Sequence, residues 1–216
     1  MPEPKRVFDL AATALAGVVF APAMPWIAAS IVLDDGLPLL FVQERVGRDR
    51  KAFRVLKLRT MRDGRVTRVG RWLRATGLDE LPQFVNVARG EMSVVGPRPL
   101  TSFDVARLGW DSPAHDARFA VRPGIVGLAQ IVGGRGARHT ARLDALYARR
   151  VSLALDARLV SLGFVANVVG KARMRRWVWR VARARQLVFR PLVLRVRPLE
   201  VATTSRASCA AQSVPS

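Results

Sequence analysis

Between Asp9 and Asp34 the chain carries no charged side chain, and as one helix residues 10–33 would be long enough to cross about 30 Å of hydrocarbon. Pro22 and Pro25 stand in the middle of this run. Each removes a backbone donor, crowds the carbonyl four residues back and pushes the preceding residue, Ala21 or Met24, away from helical geometry, so a kink or break is expected there. The flanks are basic on both sides: Lys5 and Arg6 precede the run, while Arg45, Arg48, Arg50, Lys51 and Arg54 follow it. Positive charge favours the cytoplasmic side, and a straight span cannot place both flanks there. A helix that enters one leaflet, turns at residues 21–25 and returns does so, provided the freed backbone groups find partners. Two alternatives remain open from sequence. One is a plain transmembrane helix that tolerates its prolines; the other is a cleaved leader, with Ala28 and Ser30 as small residues near a cleavage site.

Composition narrows the partners. A net charge of +20 in 216 residues, half of them hydrophobic, calls for a polyanion or an anionic membrane surface, and the hydrophobicity favours the lipid bilayer over nucleic acid. The length suits one domain of ordinary size. Cys209 is the single cysteine and the histidines are His115 and His139, which excludes an intramolecular disulfide, a cysteine zinc site and a histidine-rich metal site. Any metal would be held by carboxylates and phosphates, the preference of Mg2+.

Residues 77–99, GLDELPQFVNVARGEMSVVGPRP, carry most of the chemical information. Asp79 and Glu80 are adjacent, and Leu81, Phe84, Val85 and Ala88 recur at helical spacing behind them, so the acids are expected at a helix N-terminus, where outward amides and a positive dipole favour an anion. Two acids opening a helix ordinarily serve as a cap and a favourable first turn. The surrounding string gives them another meaning: LDELPQ followed by NVARGEMSVVGPRP resembles the signature of the bacterial sugar transferases that act on polyprenyl phosphate, the monotopic phosphoglycosyl transferases. That resemblance implies that Asp79 is the nucleophile and that Glu80 serves a magnesium ion.

Other blocks of the chain extend the likeness over roughly residues 5–156. Residues 39–42 and 52–58 read as two strands of a hairpin turning at residues 47–50, with Phe53, Val55 and Lys57 on one face. With KLRTM at residues 57–61 they resemble the family block GPxxFxQxRxGxxGxxFxxxKxRSM; Gln43, Arg45 and Gly47 match in place, Thr60 replaces Ser and Leu37 interrupts the Gly-Pro pair. Residues 66–76 read as a short amphipathic helix with Val69, Trp72 and Leu73 set against Arg65, Arg68, Arg71 and Arg74, suited either to the headgroup layer or to packing on the core. RPGIVGLAQI at residues 122–131 is similar to the family's RPGITGLAQV, and Asp144, Tyr147 and Asp156 match a further motif. Departures are Ala21 before Pro22 in place of Ser, and Gly77 in place of the Ser ahead of LDELPQ.

Phosphoryl transfer rests on positioning and charge neutralisation. The family blocks therefore single out Lys57, Arg59, Arg74, Arg98 and Arg122 as phosphate ligands, with Pro97 and Asp144 completing the substrate-binding set. The implied fold is α+β and mostly helical, with a β-hairpin and amphipathic interface helices around one small catalytic domain. Its expected parts are a re-entrant membrane helix (1–36), a catalytic domain (37–170), a basic amphipathic membrane-surface segment with Trp177 and Trp179 (171–202) and a disordered tail (203–216). The implied activity is transfer of a sugar 1-phosphate from a UDP-sugar to undecaprenyl phosphate with release of UMP, dependent on Mg2+, on the cytoplasmic face of the inner membrane. A non-enzymatic basic protein that binds membrane or nucleic acid is the alternative from another class.

Overall fold

A computed structural model describes residues 3–134 and 136–170, together with Arg173 and Arg176. The expected membrane-surface segment, apart from those two arginines, and the expected tail lie outside the described residues. The architecture is α+β and mostly helical, as the sequence implies.

The proline pair breaks the apolar run where expected. Helix α1 (Glu3–Phe20) gives way to a short 3-10 turn, Ala21–Ala23, from which α2 (Met24–Asp35) departs. Residues Pro4–Asp35 are long and apolar enough to cross a bilayer, and 11% of their most apolar window is buried in the protein. A core helix would be covered; here Leu15, Val18, Val19, Trp26 and Leu33 are exposed, which suits a segment whose solvent is lipid.

Both ends of this element are fixed to the rest of the chain. At the start of α1, Lys5 is 2% exposed and its Nζ lies 2.6 Å from Asp156 Oδ2 and 3.8 Å from Asp9 Oδ1. It also donates to the Val95 carbonyl at 3.2 Å. Asp9, fully buried, accepts from Ser93 Oγ at 2.9 Å and Val94 N at 3.0 Å. The Tyr147 hydroxyl lies 2.8 Å from both the Val95 carbonyl and Asp156 Oδ1; burial, then the neighbouring Asp156, raise its pKa. Arg6 donates to the carbonyls of Val87 and Ala88 at 2.6 and 2.7 Å. At the far end, Arg59 donates to the Asp35, Gly36 and Leu37 carbonyls at 2.7, 2.7 and 3.0 Å and pairs with the Asp35 carboxylate at 2.9 Å. Ile27 and Ile31 of α2 are buried with Leu58 and Leu73.

The hairpin forms with the expected turn. Strands β1 (Leu40–Val46) and β2 (Ala52–Leu58) pair antiparallel, Leu40 opposite Leu58 and Val46 opposite Ala52. The free edge of β2 is covered by one side chain. Asn86, fully buried, accepts from Leu56 N at 3.1 Å and donates to the Arg54 carbonyl at 2.8 Å, so two backbone groups at the centre of that edge keep a hydrogen bond. After the small pair β3 (Met61–Arg62) and β4 (Arg65–Val66), helix α3 (Arg68–Thr76) starts at Thr67, whose hydroxyl accepts from Gly70 N at 2.9 Å. Its face divides as the pattern requires, Leu73 buried and Trp72 54% exposed. The helix ends at Gly77, φ +77°, a left-handed position that glycine occupies without strain.

Helix α4 (Gln83–Arg89) leads to β5 (Ser93–Val95), which pairs in parallel with β6 (Gly124–Val126). The two backbones meet at Gly96 and Gly124, where a Cβ on Gly124 would lie 2.0 Å from Gly96 N. Between the strands run α5 (Ser102–Arg107) and α6 (Asp116–Phe119); after them come α7 (Leu128–Val132), α8 (Gly136–Arg149) and α9 (Leu153–Val169). The main core joins Val55, Val87, Val95, Leu128, Ile131, Leu143, Tyr147 and Leu159 from β2, α4, β5, α7, α8 and α9, with Met92 from the link between α4 and β5.

Candidate active site

Asp79 and Glu80 do not open α4. They sit on a separate 3-10 turn, Leu78–Glu80, launched by the left-handed Gly77. Glu80 N donates to the Gly77 carbonyl at 3.1 Å and Leu81 N to the Leu78 carbonyl at 3.2 Å. Pro82, with no donor of its own, is the N-cap of α4 and separates the turn from a helix of seven residues. The expected helix-dipole contribution is replaced by side-chain cations.

Two of the expected cations meet at Glu80. Lys57, on β2, places Nζ 3.2 Å from Glu80 Oε1, and Arg98 places Nη1 3.5 Å from the same oxygen. Lys57 and Glu80 are about four-fifths buried while the Arg98 guanidinium is half exposed, so the cluster opens outward through Arg98. Asp79, half-buried, is its immediate neighbour on the turn. Successive side chains on such a turn point in different directions, which lets the two acids face different groups.

A cleft beside the cluster is lined by Arg45, Lys57, Gln83, Arg98, Pro99 and Ile125. Arg45 hydrogen-bonds Gln43 and donates to the Pro99 carbonyl at 3.3 Å. Burial, then the like charge of Arg98, lower its pKa. Gln83 is 2% exposed, and its Nε2 has no hydrogen-bond partner among the described residues. Neither Arg45 nor Gln83 belonged to the expected substrate-binding set. The signal for both was present, since each lies in a family-like block, but an Arg or a Gln inside a motif does not announce its orientation.

The other expected ligands have partners of their own. Arg59 is spent on the end of α2, as described above. Arg74 donates from Nε to Thr60 Oγ1 at 2.8 Å, so Thr60 supplies the hydroxyl that Ser would have offered. Arg122 groups with Arg6 and Arg48, and burial, then these like charges, lower its pKa. Pro97 is buried and its carbonyl accepts from Gly124 N at 2.9 Å. Asp144 is 2% exposed on α8 and lies 3.2 and 3.1 Å from Nε and Nη2 of Arg118 on α6. Burial raises its pKa to about 6 even against that cation.

Beside the acids, α2 and α3 enclose an apolar groove of about 620 Å³ lined by Phe20, Ala23, Trp26, Ile27, Val69, Trp72 and Leu78, with Ser30 and Arg68 as its polar members. Leu78 is the first residue of the turn that carries Asp79 and Glu80, so the groove and the acidic turn share one residue.

The chain is similar to known proteins. A UDP-glucose:undecaprenyl-phosphate glucose-1-phosphate transferase of Caulobacter vibrioides is 44% identical over 153 residues, covering 64% of this chain and 57% of that protein. An undecaprenyl-phosphate glucose phosphotransferase of Komagataeibacter xylinus is 40% identical over 73% of this chain and 34% of its own length. This chain therefore spans about half or less of these two relatives. An exopolysaccharide production protein of Rhizobium leguminosarum bv. phaseoli is 38% identical over 72% of this chain and 90% of its own. The profile of one family, bacterial sugar transferase, matches residues 3–170, a span holding the helix break, the hairpin, the acidic turn and the cluster around Glu80. The chain belongs to the bacterial sugar transferase family.

Proposed function

We propose that this chain transfers a sugar 1-phosphate from a UDP-sugar to undecaprenyl phosphate, the opening membrane step of a surface polysaccharide or glycoconjugate pathway. The observation that carries the reading is the Asp79–Glu80 turn with Lys57 and Arg98 converging on Glu80 Oε1, in a chain whose relatives bear the names of such transferases. A carboxylate oxygen of Asp79 attacks the phosphorus next to the sugar, the bond to the UMP oxygen breaks, and UMP leaves with that electron pair. A phosphate oxygen of undecaprenyl phosphate then attacks the same phosphorus, breaks the bond to Asp79 and restores its carboxylate. Arg98, the exposed cation of the cluster, and Lys57 receive the charge of the diphosphate.

Among the described residues no group of three or more acids, histidines or cysteines could hold a metal. Glu80 is one hard-oxygen ligand, which fits Mg2+ held jointly by a carboxylate, waters and substrate phosphates. When bound, the ion would neutralise charge on the diphosphate.

The groove between α2 and α3 suits the first isoprene units of the acceptor. Trp72→Glu should raise the KM for undecaprenyl phosphate while leaving UMP release in its absence unchanged, read in single-turnover assays; an unaltered lipid KM would remove the groove from the lipid path. The anchoring of Lys5 and Asp35 to one folded domain supports a re-entrant helix pair, since a crossing helix would put its ends on opposite sides. With the catalytic domain on the cytoplasmic face, cysteines introduced in place of Val7 and Arg48 should both be labelled from the cytoplasm alone, and periplasmic labelling of the first would exclude the arrangement. The activity itself is tested by incubating the membrane-bound protein with undecaprenyl phosphate, Mg2+ and a panel of UDP-sugars. A lipid diphosphosugar in the mass spectrum with one of them is expected, and none with any would reject the reading.

A further inference from the structure

The loop that carries Arg98 is held in an unusual way. Pro97 and Pro99 flank Arg98 and have no N–H to donate, so the loop is fixed through its carbonyls. Four consecutive carbonyls accept hydrogen bonds from other elements: Pro97 O from Gly124 N at 2.9 Å, Arg98 O from Arg118 Nη2 at 2.9 Å, Pro99 O from Arg45 Nη1 at 3.3 Å and Leu100 O from Val46 N at 2.8 Å. Two of these donors are backbone amides of β6 and β1. A third, Arg45, is a side chain of the cleft.

Arg118 is different, because it is 5% exposed and reaches the loop from behind. Its guanidinium carbon lies 4.6 Å from the Trp110 ring centroid and 5.2 Å from that of Phe119. Its Nε and Nη2 meet Asp144 Oδ2. Aromatic faces, a carboxylate and one carbonyl thus account for a buried cation that would be costly to hold otherwise. Of the three kinds of partner, the Arg98 carbonyl is the one that belongs to the site.

We infer that Arg118, oriented by Asp144, is a positioning residue that sets the Arg98 peptide and thereby aims the Arg98 guanidinium at the cluster around Glu80. Asp144 thus acts on the site through two residues and touches no substrate. Lysine at position 118 would keep the charge but lose the planar fork that spans Asp144 and the carbonyl at once.

The inference rests on the transfer reading for its functional consequence and on geometry alone for the clamp, so the two are measured separately. In hydrogen exchange of the whole detergent-solubilised protein, Arg118→Lys and Asp144→Asn should speed exchange at the Gly124 and Val46 amides, which donate to the Pro97 and Leu100 carbonyls of the loop, at least tenfold, with α9 unchanged. Unchanged exchange at those amides overturns the clamp, whatever the activity. In single-turnover UMP release, misplacing Arg98 by about 1 Å should cost on the order of 100-fold in kcat/KM for the UDP-sugar, with the KM for the lipid unmoved. The deciding arm is a double-mutant cycle: in an Arg98→Ala background Arg118→Lys should have no further effect on UMP release. Additive losses would show that Arg118 supports the fold generally, and would overturn the positioning role. Absence of transfer by the unsubstituted protein would fault the transfer reading and leave exchange to decide the clamp.

Discussion

Asp79→Asn is expected to abolish UMP release and to leave the protein unable to form a covalent adduct with a UDP-sugar. An amide is not a nucleophile, and no water can regenerate the carboxylate oxygen in line with the leaving group, so the loss should amount to several orders of magnitude. Glu80→Gln should behave differently. It keeps one oxygen for Mg2+ but loses the charge that holds the ion and the ion pairs to Lys57 at 3.2 Å and Arg98 at 3.5 Å. Its turnover should fall by roughly 100- to 1000-fold, the scale for losing one electrostatic partner of a transition state, and rise again in part with added Mg2+. Single-turnover release of UMP measures both. Equal behaviour of the two variants would remove the division of labour, and multiple turnovers by Asp79→Asn would remove Asp79 as nucleophile.

Asp156→Ala is expected to be the most destabilising single change in the described chain. The Lys5 and Asp156 side chains are 3% and 0% exposed and meet at 2.6 Å, and removing one partner of such a buried pair costs about 3–5 kcal/mol because the other charge is left without compensation. For a domain of this size that corresponds to a loss of roughly 10 °C in Tm. The Asp9 carboxylate, 3.8 Å from Lys5 Nζ, is committed to Ser93 and Val94 and offers a poor substitute. Arg62→Ala is the comparison, since Arg62 is 65% exposed, lies 3.6 Å from Asp35 and should contribute less than about 1 kcal/mol. Thermal unfolding in detergent measures both. A Tm shift for Asp156→Ala no larger than for Arg62→Ala would show that the network is not a principal tie between the membrane helix and the domain.

The helix break at Pro22 and Pro25, the hairpin and the amphipathic α3 were legible because each rests on local chemistry, whereas the acids were expected to open α4 and sit instead on a separate 3-10 turn before Pro82. Long-range polar contacts were not legible. Lys5 reads in sequence as one member of a basic flank, yet its ammonium is buried against Asp156, more than 150 residues away. A count of flanking charges thus gave no sign of the buried contact that Lys5 makes in the fold. The parallel pairing of Ser93–Val95 with Gly124–Val126 escapes periodicity because three residues show no alternation. Phosphate ligands were the least legible. Among so many arginines a motif picks candidates, but whether a guanidinium faces the site, as in Arg98, or ties down a carbonyl, as in Arg59, depends on the backbone brought beside it. Arg118 carried no signal at all, since it lies in a stretch without a recognised motif.

The central claim is that a covalent phosphosugar on Asp79 connects two half-reactions. The unsubstituted protein, given UDP-sugar and Mg2+ without lipid, should release UMP once, up to the concentration of active sites, and gain the mass of one phosphosugar, mapped to Asp79 by fragmentation. Adding undecaprenyl phosphate should discharge that mass to lipid and restart UMP release. UMP formed exclusively when the lipid is present, with no adduct at any time, would contradict the account and point to direct transfer between the two substrates.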